Sequence, residues 1–76
     1  MSPLERVETL AVEVFGYAAA VSVDQDREPG TRAPCTVVRI WDKHGVEVLR
    51  SEPASRTEAL VEMREKLERR LFLGEE

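Results

Sequence analysis

The stretch Cys35-Thr36-Val37-Val38-Arg39-Ile40-Trp41-Asp42-Lys43-His44-Gly45-Val46-Glu47-Val48-Leu49 decides the fold. β-Branched and aromatic residues flank the turn tetrad Asp42-Lys43-His44-Gly45, so two strands meet in a hairpin. Gly45 suits the left-handed position of a three-residue loop, a type I turn closed by a G1 bulge. That loop places Ile40 opposite Val48 and Trp41 opposite Glu47. One face then carries Val38, Ile40, Val46 and Val48, which reads as the core side. The other carries Cys35, Val37, Arg39, Trp41, Glu47 and Leu49, and is apolar at its centre. A two-residue loop would set Ile40 against Glu47 and Arg39 against Val48, so it is rejected.

Downstream, Glu52-Pro53-Ala54 is a linker, and Ser55 with Glu58 forms a capping box. The helix it opens runs to about Leu73, with Leu60, Met63, Leu67 and Leu71 as its buried stripe. Glu62–Lys66 and Glu65–Arg69 are i,i+4 pairs in the favourable order. Val61 and Phe72 project off that stripe and widen the apolar surface.

Upstream, Ser2-Pro3-Leu4-Glu5 reads as a helix start, with Ser2 as cap and Pro3 at the first helical position. Leu4, Val7, Leu10, Ala11, Val14, Phe15 and Ala18 share one stripe at helical spacing, which predicts a helix over 3–15. Alternation of Leu10, Val12 and Val14 keeps a strand as the competing reading. Residues 17–24 read as a first strand with Tyr17, Ala19, Val21 and Val23 on one face. Gln25 to Pro34 is a polar loop containing a Pro29-Gly30 turn pair. The expected fold is therefore α+β, one domain over 1–76: a three-stranded antiparallel sheet with two helices on one face, in the order α-β-β-β-α. Its expected core joins Val7, Leu10, Val14, Leu60, Met63, Leu67 and Leu71 to Val21, Val23, Val38, Ile40 and Val48.

Net charge is −4, and 34% of the residues are charged, which suits a folded, soluble module and disfavours a primary phosphate-binding role. Nucleic acid stays possible only through a local patch: Arg27, Arg32 and Arg56, or Arg64, Arg69 and Arg70. The longest uncharged apolar run, Val14 to Val21, is far short of the roughly 20 residues that span a bilayer. The N-terminus lacks a positive region before an apolar run, so no membrane partner and a cytoplasmic location are expected. The single cysteine, Cys35, can form no internal disulfide.

Candidate chemistry is sparse. His44 is the only histidine and sits in a tight turn without an acidic partner or nucleophile beside it. Cys35 has no cation or helix N-terminus placed to lower its pKa. Asp24, Asp26 and Glu28 follow the spacing that starts a calcium loop. Pro29, however, stands where the sharp-turn glycine belongs, and Cys35 where the bidentate glutamate belongs. The chain is therefore expected to be no enzyme and to use no cofactor or metal. Trp41 has two readings: padding of the core edge beneath the loop, or an exposed anchor beside Arg39 on the outer sheet face, Trp and Arg being the types most enriched at binding hot spots. Val37, Arg39, Trp41 and Leu49, extended by Val61 and Phe72, form the expected interface of a protein-interaction module, a homo-oligomer or a subunit of a larger assembly.

The element order, with the last helix opening in Arg56-Thr57-Glu58-Ala59, resembles the double-stranded-RNA-binding-domain topology across nearly the whole chain. That resemblance implies RNA contacts from a basic cluster at the start of the final helix and from a His-bearing loop between the first two strands. Here Arg56 is the only basic residue in the equivalent turn, and the loop reads Glu28-Pro29-Gly30-Thr31-Arg32. A related reading is an acidic protein that occupies the basic groove of a nucleic-acid-binding protein. The strand–turn–strand–helix half also resembles small integrase arm-binding and antitoxin-like modules.

Overall fold

A computed structural model describes residues 2–74. Its elements are helix α1 (Pro3–Phe15), strands β1 (Ala20–Arg27), β2 (Pro34–Trp41) and β3 (Glu47–Arg50), and helix α2 (Arg56–Glu68), which continues as a π-helical segment (Arg69–Leu73). The three strands form one antiparallel sheet in the order β1-β2-β3. The expected α-β-β-β-α fold is present.

Both helices start as their sequences dictate. Ser2 Oγ accepts the Glu5 N–H at 3.2 Å, and Ser55 Oγ accepts the Glu58 N–H at 3.2 Å. Each cap satisfies one of the N–H groups a helix start leaves without a partner. Gly16, at φ 95°, ends α1, so residues 3–15 are helix and the strand alternative is set aside. The helices cover one face of the sheet. Val7, Leu10 and Ala11 of α1 meet Ala59, Leu60, Met63 and Leu67 of α2 over Val38 and Ile40. Val14, Val21, Val23 and Val48 pack around this centre as half-buried side chains.

Three expectations are corrected. The first strand lies three residues later than 17–24, because a turn closed by the Ala19 N–H on the Gly16 carbonyl (3.0 Å) follows α1. Tyr17 is left 96% exposed in that turn. The strand then runs through Gln25-Asp26-Arg27, polar as they are, because those residues pair with Thr36, Cys35 and Pro34. Second, Trp41 does face Glu47, but Ile40 faces Leu49 rather than Val48. Gly45 (φ 75°) closes the turn as expected, and a further bulge at Val48 shifts the register by one residue. Leu49 therefore lies on the inner face and packs on the core, while Val46 stays 56% exposed in the turn. Third, Leu71 leaves the buried stripe. The π winding begins where the Arg69 N–H is shared between the Glu65 and Lys66 carbonyls, and it rotates Leu71 off the i+4 position from Leu67.

The sheet does not stop at Arg50. Ser51 N–H donates to the Val38 carbonyl at 2.9 Å, and Val38 N–H donates to Ser51 Oγ at 2.8 Å. Thr36 and Ala54 then exchange backbone bonds, at 2.7 and 3.3 Å. Residues 51–54 are thus sewn to β2 up to the cap of α2. Ser51 is 2% exposed, so its hydroxyl replaces a carbonyl that the chain cannot bring into place. Replacing Ser51 by Ala leaves the buried Val38 N–H without an acceptor. The variant should lose about 1–3 kcal/mol in urea unfolding, the cost of an orphaned buried donor. An unchanged midpoint would contradict this assignment.

Candidate interaction surfaces

The outer face of the sheet is built from alternate strand residues: Ala20, Ser22, Asp24 and Asp26 on β1, Cys35, Val37, Arg39 and Trp41 on β2, and Glu47 and Arg50 on β3. Its centre is ionic. The Arg39 guanidinium bonds Asp24 on one side and lies 3.4 Å from Glu47 Oε1 on the other. Arg50 grips Glu47 with two bonds of 2.9 Å. Trp41 Nε1 reaches Ser22 Oγ at 3.5 Å, and Ser22 Oγ donates to Asp24 at 3.1 Å. Planar guanidinium groups match carboxylates in this two-pronged way, which orients the network more than it stabilises it.

This face brings only part of the expected interface together. Val37 is 3% exposed and offers almost no surface. Arg39 is committed to two carboxylates, and Trp41 is half-buried. Leu49 faces the other way. Val61 lines a groove of about 470 Å³ between the start of α1 and the length of α2, with Pro3, Arg6, Leu60, Arg64 and Glu68. Phe72 lies in the π-helical segment, roughly 16 Å further along the helix at 1.5 Å per residue.

The apolar surface lies instead at one end of the molecule. Arg70 sits over the Phe15 ring, 5.6 Å from its centroid, and so holds the π segment against the end of α1. Tyr17 follows directly, and β1 begins at Ala20 opposite Trp41, next to the turn that bears Val46. Tyr17, Val46, Phe72 (68% exposed) and Leu73 (70% exposed) therefore share that end, with Leu71 at its margin. Phe72 was legible from its place off the helical stripe. Tyr17 was not, because it fitted the Val21 and Val23 face of the expected strand, and Leu73 stood only as the last residue of the expected helix.

The chemical candidates fare as follows. Burial pushes the Cys35 thiol up, and the charges of Asp26 and Glu28 push it further. It remains a protonated, poorly nucleophilic thiol at neutral pH. His44 is exposed in the turn, where its backbone N–H donates to Asp42 Oδ1 at 2.8 Å. The same oxygen accepts the Val46 N–H at 3.0 Å, and these bonds, led by that from Val46, hold the Asp42 carboxyl below its usual range. Among the described residues no cluster of His, Cys, Asp and Glu is placed to hold a metal ion, and no helix is long and apolar enough to cross a membrane. Among the described residues, five of the eleven basic side chains meet carboxylates: Arg6 and Arg64 pair with Glu68, Arg39 with Asp24 and Glu47, Arg50 with Glu47, and Lys66 with Glu62. Compared with protein-family models, curated proteins and solved structures, the chain gives no match.

Two measurements test this description. The Arg50 hydrogen bonds, then the charges of Arg50 and Arg39, hold Glu47 below its ordinary value of 4.5 against the opposing effect of burial. A depressed carboxylate contributes stability above its unfolded pKa and loses it as the pH falls through the native one. Glu47→Gln should therefore flatten the loss of thermal stability below pH 4.5; an equally steep acid limb would exclude Glu47 from it. Cys35 should react with iodoacetamide at neutral pH at least about tenfold more slowly than in the urea-unfolded chain. Equal rates would mean that the thiol is open.

Proposed function

We propose that the chain is a small, non-catalytic protein-interaction module that self-associates or works as a subunit of a larger assembly. The observation that carries this reading is the exposure of Phe72, Leu73 and Tyr17 at one end of a 76-residue fold. Single exposed apolar residues are common on monomers, but a cluster at one pole favours a partner that removes it from water. Of the residues first expected at an interface, Phe72 serves this end and Val61 flanks the inter-helix groove. The protonated Cys35 and the tethered turn around His44 support a role without catalysis. A free buried thiol also accords with the reducing cytoplasm. The net charge of −4 favours a protein partner over nucleic acid.

Sedimentation equilibrium over a concentration series tests the reading. The mean mass should exceed the 8.6 kDa of one chain and rise with concentration. Phe72→Glu should keep its circular dichroism and weaken the concentration-dependent part about tenfold or more, as loss of an aromatic anchor does. One-chain mass at every concentration would overturn self-association. A Phe72→Glu profile identical to that of the parent chain would remove the apolar end from it.

A further inference from the structure

The two edges of the sheet are finished differently. β3 has only four residues and is interrupted by a bulge, and side chains of α2 close its outer side. Lys66 Nζ donates to the Arg50 carbonyl at 2.9 Å, and the Glu52 N–H donates to the Glu62 carboxylate at 3.0 Å. β1 has eight residues in unbroken register with β2, and it contains no proline, lysine or bulge. Proline, lysine and bulges are devices that keep an edge strand from pairing; of such devices β1 carries only the charged side chains of Asp24, Asp26 and Arg27.

Which groups of β1 stay open follows from β2. Thr36 and Val38 spend their backbone groups on Ala54 and Ser51, so Cys35, Val37 and Arg39 direct theirs toward β1. Their partners Asp26, Asp24 and Ser22 point back at β2. Val21, Val23, Gln25 and Arg27 consequently aim N–H and C=O away from the sheet. The Arg27 N–H is taken by Asp26 Oδ1 at 2.8 Å. Among the described residues, the outward groups of Val21, Val23 and Gln25 have no backbone partner. The open run is centred on Val23.

We infer that β1 pairs antiparallel with β1 of a second copy of this chain, about a two-fold axis through Val23 and normal to the sheet. This goes beyond the contact proposed above: it is a second self-association surface, one that does not use the apolar end and so survives its loss. The axis sets Val23 against the partner's Val23 and Val21 against the partner's Gln25, making about six interchain hydrogen bonds. Ser22 faces the partner's Asp24, so no two carboxylates stand opposite each other. Neighbouring registers are worse. A shift that centres the pair on Asp24 opposes two aspartates and requires the Arg27 N–H, which is already used. Centring on Ser22 sets Gln25 against Ala19, whose N–H is bound to Gly16. Shifts by a single residue would exchange the inner and outer faces. The product is a six-stranded sheet with all four helices on one side, and the half-buried Val21 and Val23 of both copies meet along its centre line. The apolar ends lie at opposite extremes of this dimer, free of the edge contact.

Hydrogen exchange read residue by residue, with the mass measured on the same samples, tests the pairing in the Phe72→Glu chain. The two-chain mass should persist there. The Val21, Val23 and Gln25 amides should exchange at least about tenfold more slowly in the dimer than after dilution to single chains. Gln25→Pro removes an outward N–H at an exposed edge position that β2 does not use, so the monomer fold should survive while the dimer is lost. Two-chain mass with these three amides unprotected would overturn the edge pairing and leave self-association standing through another surface. Single-chain mass with unprotected amides would overturn the pairing, leaving the edge free for a foreign strand. Single chains of the parent protein as well would overturn self-association with it. Protection that persists on dilution to single chains would also overturn the pairing.

Discussion

Everything in this fold depends on β2 finding partners on both of its sides. It is the only strand flanked twice, and its Val38 and Ile40 are fully buried. On one side β1 supplies eight matched residues without effort. On the other, β3 offers only four, and a bulge at Val48 disturbs them. The deficit is met by Ser51, whose hydroxyl and N–H both bond Val38, and by Ala54, which exchanges bonds with Thr36. Because Ala54 directly precedes the Ser55 cap, these bonds also fix where α2 begins. Met63 and Leu67 then reach the core from a helix anchored by sheet hydrogen bonds. Backbone satisfaction of the central strand and placement of the covering helix are one constraint.

The same bulge decides what the outer face looks like. With a regular ladder beyond the turn, Leu49 would join Val37 and Trp41 outside, and the sheet would be greasy on both sides. One extra residue at Val48 turns Leu49 inward opposite Ile40 and leaves Glu47 and Arg50 outside. Arg39 then has carboxylates on both neighbouring strands, Asp24 and Glu47. The face becomes a lattice of charge and hydrogen bonds in which the Trp41 indole is held by Ser22. A sheet face of this kind can remain in water, so the need for a covering layer that hydrophobic pattern alone suggests does not arise here.

How far the sequence could be read follows from the range of the interactions involved. Both helices, their caps and the Gly45 turn depend on residues within four positions of each other, and all were legible. The core positions Leu10, Ile40, Met63 and Leu67 follow from periodicity, which is also local. The β1 boundary was missed because Gln25-Asp26-Arg27 has no strand signature; it is extended only because Thr36, Cys35 and Pro34 lie opposite. Ser51 was missed for the same reason, its role being defined by Val38, thirteen positions away. The apolar end was half visible. Phe72 stands off the helical stripe, whereas the exposure of Leu71 depends on a change of helical winding that no residue in the segment announces.

That change of winding has a near-even energy balance. Continued as an α-helix, the segment would keep Leu71 on the stripe of Leu60, Met63 and Leu67. As wound, Leu71 is 37% exposed, a loss of about a third of the roughly 1.5–3 kcal/mol that full burial of such a side chain is worth. In return Arg70 lies over the Phe15 ring, a contact worth about 0.5–1 kcal/mol at a site open to solvent. The two effects are of similar size, so neither winding has a large intrinsic advantage at this terminus. A modest contact at Phe72 and Leu73 suffices to choose between them. The end that carries the exposed apolar side chains is thus also the part of the chain whose geometry a partner can set most cheaply.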